Sequence, residues 1–539
     1  MTQIKIFDTT LRDGQQCPGA GMSYTKNIEY AQLASQINID ILEAGFPSAS
    51  AEDFKIVHNI AKMYAQQANS PKVAALSQLR EDQVKQTIAA LQPLIPTKRA
   101  IVHLYLPVAP ALMEASLGAY ADDKQQIFSD VSRLIHMVIS AGCEVEFSPE
   151  AYSQMAENFD FTTQLISTAV AAGASTINCP DTIGRACYLQ GDDYFVNHMN
   201  IHAGIIKSRF PSRNITWSVH CHNDFGLALD NSMRAVFAGP ATQVEGCFNG
   251  IGERAGNAAL EQCIMYIKTF GGSQANQHYY TQCYSQHIRK ISDFVSNNML
   301  GRQAHWPISG DNAAKHSSGG HTNAILKNAH VYQPFSPREV GQSISFVFGP
   351  LSGSNHAQSI IKKHGYTCDN HERQNIMQFI KDFHKNRRKG LTDDEFMQAY
   401  FAYRAPIKVS DISFEKKDNE KHFAMHAVVF DKEEKIDIVA KDSDTATTAL
   451  HRFLSKRFTP CKIQSYRSES KEPGRHAEAH ATISISVDGD YFQGKSHDHD
   501  IESAALKALV DAYNQFLIAE NYKIKAEQQE YPVKVGMRD

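Results

Sequence analysis

The segment Ile4-Lys-Ile-Phe-Asp-Thr-Thr-Leu-Arg-Asp13 decides the fold. Apolar residues build a short strand, which ends in Asp8-Thr-Thr-Leu-Arg-Asp13. An open doubly wound sheet, the competing α/β arrangement, needs a phosphate-binding glycine loop at that place. Outward from this segment, β-branched or apolar runs recur at Ile41–Pro47, Lys72–Ser77, Ala100–Pro107, Glu144–Pro149, Ser175–Thr182, Ile215–Asp224 and Gln243–Asn249. Stretches with helical spacing lie between them, at Tyr24–Gln36, Asp122–Ala141, Phe161–Ala172 and Asp192–Arg209, and a last one runs from Asn257 to Phe270. Strands alternating with helices imply parallel βαβ units. Eight of them over about 270 residues is the count and size of a (β/α)8, or TIM, barrel.

The alternation stops near Gln274. To Arg404 the chain has His- and Asn-rich turns (Gly310–Asn328), Pro-marked breaks and then charged helical sequence from His371 to Tyr403, which reads as a mostly helical linker subdomain. After Pro406 a diverged repeat begins. Phe423–Phe430 and Lys435–Lys441 read as strands before a helix at Thr445–Phe458, and Thr482–Val487 and Asp490–Gly494 as strands before a helix at Asp500–Phe516. Two such units suggest a duplicated α+β domain of regulatory type, a small-ligand sensor or a dimerisation element. The expected division is a catalytic barrel at 1–273, linker subdomains that contribute to the active site at 274–404, a regulatory domain at 405–525 and a tail at 526–539.

A chain of 539 residues is too long for one ordinary core. Its formal net charge of -4 gives no reason to expect a nucleic-acid or membrane surface. No apolar run reaches the length of a membrane span, and the N-terminus passes straight into a strand, so no signal peptide is expected. Ten scattered cysteines without a CxxC pair fit reduced thiols better than a disulfide framework, and a cytoplasmic enzyme is expected.

Barrel enzymes carry their sites at the C-terminal ends of the strands. The polar residues there are Arg12, Asp13, Glu43, His103, Glu146, Thr182, His220, His222, Asn249, Glu253 and Asn257. Two histidines two residues apart on a strand share a face, so His220 and His222 enter the mouth together. With Asp13 they form a two-histidine, one-carboxylate set that leaves positions open for a chelating substrate, and suits zinc, manganese, magnesium or cobalt. An isolated His-x-His is more often solvated or hydrogen-bonded in a core; acidic partners on strand 1 tilt the balance. Arg12 can hold a developing oxyanion or form a salt bridge to Glu43 or Glu146. Glu146 and Glu253 fit a base, an orienter of the histidines or a partner for Arg12, and spacing does not separate these roles. Asn249-Gly-Ile-Gly-Glu-Arg-Ala-Gly-Asn257 is either an anion-binding helix start or a tight turn. In the linker, His321 and Tyr332 are titratable loop residues, and on their own such loop histidines are more often solvated than catalytic.

These residues fall within longer segments. Phe7-Asp-Thr-Thr-Leu-Arg-Asp-Gly-Gln-Gln16, Leu42-Glu-Ala-Gly-Phe-Pro47, the His220/His222 segment, Asn249–Asn257 and His316-Ser-Ser-Gly-Gly-His321 resemble the signature segments of the 2-isopropylmalate synthases, a family grouped with homocitrate and citramalate synthases and with metal-dependent lyases. The resemblance covers nearly the whole chain. It implies a Claisen condensation of acetyl-CoA, the cosubstrate, with the 2-oxo acid 2-oxoisovalerate. Asp13, His220, His222 and Asn257 would bind the divalent metal, and Glu43, His103 and Thr182 would hold substrate oxygens. Arg12 would stabilise the oxyanion, Glu146 or Glu253 would serve proton transfer, and His321 and Tyr332 would reach the site from a partner subunit, making a homodimer. A monovalent cation as activator and leucine as feedback effector are further implications. The sequence departs from the family pattern at Val108-Ala-Pro-Ala-Leu112, Ala151-Tyr152, His321-Thr-Asn323 and Lys441-Asp-Ser-Asp-Thr-Ala446. These departures bear on the side-chain pocket and the effector rather than on the catalytic set. The rival readings are citramalate or homocitrate synthesis, a lyase on the same barrel, and a catalytically inactive sensor.

Overall fold

The computed structural model describes residues 1–272, 277–385, 389–417, 420–430, 432–440, 444–470 and 478–528. It divides into two compact units, 1–315 with 333–344, and 316–332 with 345–539.

The first unit holds a closed barrel of eight parallel strands in chain order: β1 Lys5–Asp8, β2 Ile41–Glu43, β3 Lys72–Gln78, β4 Ala100–Pro107, β5 Glu144–Glu150, β6 Thr176–Asp181, β7 Thr216–Cys221 and β8 Ala241–Gly246. Closure runs through Lys5 opposite Gln243 and Asp8 opposite Gly246. The helices α1 Tyr24–Gln36, α2 Ala51–Ala65, α3 Glu81–Leu91, α4 Lys124–Ser140, α5 Phe159–Ala172, α6 Phe195–Arg209, α7 Ala228–Phe237 and α8 Leu260–Phe270 follow the strands. Helix α4 shows why: Ile127, Val131, Leu134, Ile135 and Val138 recur at helical spacing and are buried as one stripe. Helix α2 is started by Ser50, whose Oγ accepts from Asp53 N at 3.0 Å, with Glu52 and Asp53 in its first turn and Lys62 in its last. Such a cap is worth about 1 kcal/mol, and the charges complement the helix dipole.

Inside the barrel, side chains follow a period of two along each strand. Phe7, Ile41, Ala74 and Ile101 form one small apolar cluster. Two residues further along β2 and β4 come Glu43 and His103, and the same step on β7 and β8 leads from Ser218 to His220 and from Gln243 to Glu245. Charged and imidazole side chains thus lie toward the C-terminal ends of these strands, above apolar residues on β2 and β4 and above Ser218 and Gln243 on β7 and β8.

Several strands are shorter than their apolar runs suggest. β2 stops at Glu43, β7 at Cys221 and β8 at Gly246, so His222 and Asn249 stand just beyond strand ends. After the barrel, α9 spans Ile288–Asn298.

The second unit contains the helices α10 Gly319–Lys327, α11 Ser354–Lys363, α12 Glu372–Phe383 and α13 Asp393–Arg404. The last three meet over Phe348, Ile361, Ile376, Ile380, Phe396 and Tyr400. The repeat follows as two antiparallel three-stranded sheets, each with a helix after it. The first comprises β9 Ile407–Lys417, β10 Glu420–Val429 and β11 Lys432–Ala440 with α14 Ala446–Arg457; the second β12 Lys462–Ser470, β13 Ala479–Val487 and β14 Asp490–Asp498 with α15 Ile501–Gln528. Each unit has one strand more than the sequence suggests. β12 is an edge strand whose residues are almost all exposed, so it carries no alternation to read. In β13, by contrast, Ala481, Ile483, Ile485 and Val487 alternate into the core. Of the turn at 441–446, residues 441–443 lie outside the described residues, as do the proposed domain break at 273/274 and the tail beyond 528. No helix among the described residues is long and apolar enough to cross a membrane, and all ten cysteines are unpaired.

Candidate active site

The loop after β1 and the ends of β7 and β8 bring the principal groups together. Asp13, His220 and His222, all buried, place one donor atom each within 4.8 Å of one another. The two imidazoles are stacked, with centroids 5.1 Å apart and planes at 25°. Asn257, in the turn after β8, spans the set: its Nδ2 donates to Asp13 Oδ1 at 2.6 Å, and its Oδ1 lies 2.8 Å from His220 Nε2. Gly252 leaves room for this bridge. Its φ is +151°, and a Cβ there would overlap Asn257 Nδ2 and lie 2.7 Å from Asp13 Oδ1.

The protonation states follow from the partners. Burial opposes the Asp13 charge, but Arg12, His220 and His222 outweigh it and hold the carboxyl well below its usual range. Burial also opposes the His220 charge, yet Glu245 more than compensates and its pKa is raised. Nδ1 of His220 donates to Glu245 Oε1 at 2.7 Å, so Nε2 faces Asn257 Oδ1 as a second donor only if the ring is an imidazolium. His222 is the opposite case: burial and the neighbouring His220 push it down to about 4, and its buried Nδ1 has no hydrogen-bond partner. A neutral imidazole with an unpartnered ring nitrogen, a carboxylate and an amide oxygen are donors of the kinds a divalent cation takes, and such a cation would displace the proton between His220 Nε2 and Asn257 Oδ1. The residues fit such a group.

Around this set runs a closed hydrogen-bonded ring. Arg12 Nε donates to Glu43 Oε2 at 2.6 Å, Nη1 to Asp13 Oδ2 at 2.5 Å and Nη2 to Glu245 Oε1 at 3.0 Å. His103 Nδ1 is 2.7 Å from Glu43 Oε1 and its Nε2 2.7 Å from Ser148 Oγ. Asn178 Nδ2 donates to Ser148 Oγ at 3.0 Å and to Glu245 Oε2 at 2.7 Å, which returns the ring to Arg12. Burial pulls the His103 proton off, but Glu43 outweighs it and lifts the pKa to about 9. Glu43, His103 and Glu245 also cluster like metal ligands, yet the guanidinium already supplies their cation.

The other candidates are dispersed. Glu146 is buried beside this ring, with both oxygens accepting from Gln243 Nε2 at 3.0 and 3.1 Å; burial raises it to about 7. Thr182 Oγ1 accepts from Ala151 N at 2.9 Å. Glu253 is exposed. Asn249 turns to α9, where its Nδ2 donates to Ser292 O at 2.8 Å. His321 and Tyr332 belong to the second unit, where their rings stack with centroids 3.9 Å apart.

Glu245 escaped the sequence reading, although it accepts from Arg12, His220 and Asn178. Its signal was present: it lies two residues after Gln243 and therefore on the same inward face. Reading β8 through to Asn249 drew attention to Glu253 instead. Substituting Glu245→Gln removes the negative charge opposite His220 and Arg12 and puts an amide N–H2 where Oε2 accepts from Asn178. Divalent-metal affinity, measured by titration of the apoprotein, is expected to fall about 10- to 100-fold. An unchanged affinity would show that His220 needs no such support.

Comparisons with known proteins bear on this arrangement. The HMGL-like family model matches residues 3–295, the homocitrate synthase post-HMGL domain-like model 308–388, and the LeuA allosteric (dimerisation) domain model 392–517. Among curated relatives, the 2-isopropylmalate synthase of Aquifex aeolicus is 31% identical, with 98% of each chain covered. That of Afipia carboxidovorans is 31% identical over 98% of this chain and 97% of its own. One from Staphylococcus aureus is 30% identical over 96% of this chain and 98% of its own.

Proposed function

This chain belongs to the 2-isopropylmalate synthase family, and from that premise we propose that it condenses acetyl-CoA with 3-methyl-2-oxobutanoate (2-oxoisovalerate) and water to give 2-isopropylmalate and free CoA. The observation that carries the reading is the convergence of Asp13, His220 and His222 beside the Arg12 guanidinium.

Asp13, His220, His222 and the Asn257 oxygen would hold a divalent cation, with mixed nitrogen and oxygen donors favouring zinc or manganese over magnesium. When bound, such a cation supplies Lewis acidity to a chelated 2-oxo carboxylate. Arg12 has five N–H groups and gives three to carboxylates. The remaining two can meet the oxygen that becomes an alkoxide as the acetyl carbon attacks, and three carboxylates fix the fork in place beforehand. Glu43 and His103 orient one another and, with Thr182, are assigned to substrate oxygens. Glu146, raised to about 7 by burial, is matched to removing a proton from the acetyl methyl group near neutral pH. Glu253, exposed in the turn after β8, is the alternative. Hydrolysis of the thioester then releases CoA and balances the reaction.

His321 and Tyr332 are assigned to the partner subunit's site in a homodimer, a reading supported by the match to a dimerisation domain. The proposed division remains 1–273, 274–404, 405–525 and 526–539, with a monovalent cation as activator and a cytoplasmic location that suits ten unpaired cysteines.

CoA release assayed in parallel with 3-methyl-2-oxobutanoate, pyruvate and 2-oxoglutarate is expected to show the highest kcat/KM for the first. Preference for pyruvate would make the chain a citramalate synthase, and turnover of none of the three would contradict the condensing activity. Added leucine is expected to depress the rate in the same assay; an unchanged rate would rule out leucine as the effector.

A further inference from the structure

A cavity lies in the second unit, away from the metal-ligand set in sequence. It encloses about 360 Å³, at the small end of ligand sites, between the N-termini of α10 and α11 and the flank of α12. Its lining includes Gly319, Asn323, Ser354, His356 and Lys381, and contains no carboxylate.

His356 is 2% exposed, and burial pushes it down to about 4, so the ring is neutral. Ser352 Oγ accepts from Gly349 N at 3.0 Å and lies 3.3 Å from His356 Nδ1, to which its own proton is free to point. With the hydroxyl donating to Nδ1, the ring proton of His356 sits on Nε2, a buried atom that has no hydrogen-bond partner. Orphaned buried donors are rare and costly. A second chain of bonds ends the same way. Arg373 Nη1 donates to Asn355 Oδ1 at 2.8 Å, and Asn355 Nδ2 donates to Asn323 Oδ1 at 2.8 Å, which leaves the Asn323 amide nitrogen as the donor at the end of the chain. Neither α10 nor α11 has a side-chain cap on its first turn. Two uncapped helix starts, an ammonium, an amide N–H2 and the unpartnered imidazole nitrogen offer donors, and the one carboxylate acting on His356, Asp393, is not part of the lining.

We propose that this cavity binds a phosphate group, carried by coenzyme A or free in solution, on His356 Nε2–H, the Asn323 amide, Lys381 and the first turns of α10 and α11. The coenzyme source rests on the condensing activity proposed above; phosphate binding itself does not.

The test uses the full chain without 2-oxo acid. Inorganic phosphate and coenzyme A are each titrated calorimetrically into the wild type, Lys381→Glu and Asn323→Asp, with thermal unfolding of each unliganded variant as a check on folding. Saturable binding by the wild type that weakens at least about tenfold in both variants is expected, in line with the loss of a charge-assisted hydrogen bond. Displacement of phosphate by coenzyme A but not by 3′-dephospho-CoA assigns the site to the coenzyme's 3′-phosphate; lack of displacement by either assigns it to free phosphate. The proposal is overturned if the affinities for phosphate and for coenzyme A are both the same in the two folded variants as in the wild type. A chain that binds phosphate and yet releases no CoA from any 2-oxo acid would contradict the proposed reaction while leaving this site standing.

Discussion

His220→Ala is expected to lower turnover by roughly 10³-fold or more and to yield protein that no longer retains stoichiometric divalent metal. The size follows from what the ring does. It is one of only two imidazoles in the donor set, and its Nδ1–H is fixed on Glu245 at 2.7 Å so that Nε2 faces Asp13 and Asn257. Lewis-acid stabilisation of a developing alkoxide is worth several kcal/mol, and about 4 kcal/mol corresponds to about 10³-fold in rate. Losing an outer hydrogen-bond partner costs only about 10- to 100-fold, so the expected order is His220→Ala well below Glu245→Gln. Metal content by elemental analysis and kcat from CoA release check both halves. Wild-type metal content with wild-type kcat in the alanine variant would remove His220 from the site.

Arg12→Lys has the next largest effect, an expected fall in kcat of about 10²- to 10³-fold, the range for deleting one preorganised donor to an oxyanion. The charge survives the substitution, but the geometry does not. A planar fork meets Glu43, Asp13 and Glu245 from three nitrogens at 2.6, 2.5 and 3.0 Å, whereas an ammonium is a compact point charge on a flexible stem. KM for the 2-oxo acid is expected to change little, because the lost interaction belongs to the transition state. Thermal unfolding separates this from a folding defect. Lysine keeps a cation among three buried carboxylates and should unfold near the wild-type temperature, while Arg12→Ala uncovers them and is expected to lose about 3–5 kcal/mol. Equal kcat for Arg12→Lys and the wild type would restrict Arg12 to a structural ion pair.

Much of this arrangement was legible in the chain, for identifiable reasons. Parallel strands buried on both faces read as apolar runs, so Ala100–Pro107 appears in the structure with the same bounds. The His220-Cys-His222 step and the Arg12-Asp13 pair announce themselves because such residues rarely sit in apolar surroundings without a task. Glu245 did not, because its meaning depends on register. It stands opposite His220 on the adjacent strand, and only closure of the barrel brings β8 beside β1 and hence Glu245 to Arg12. Strand ends were overextended for a related reason. Beyond Gly246 the sequence stays apolar, yet Asn249 adopts φ 59° and leaves the sheet for a bond with Ser292. The edge strand Lys462–Ser470 was invisible because its outward and inward residues are equally polar. His356 was likewise unremarkable in sequence; its interest comes from burial, which leaves its Nε2 without a hydrogen-bond partner at the edge of a cavity.

One measurement tests the account where it is most exposed: X-ray diffraction from crystals of the full chain grown with manganese, with data collected on both sides of the manganese absorption edge. An anomalous peak bounded by Asp13, His220 and His222, absent from Asp13→Asn crystals grown in the same way, is the expected result. A peak elsewhere in the barrel, or no peak at this place in a catalytically active crystal, would contradict the assignment of these three residues as the metal's ligands.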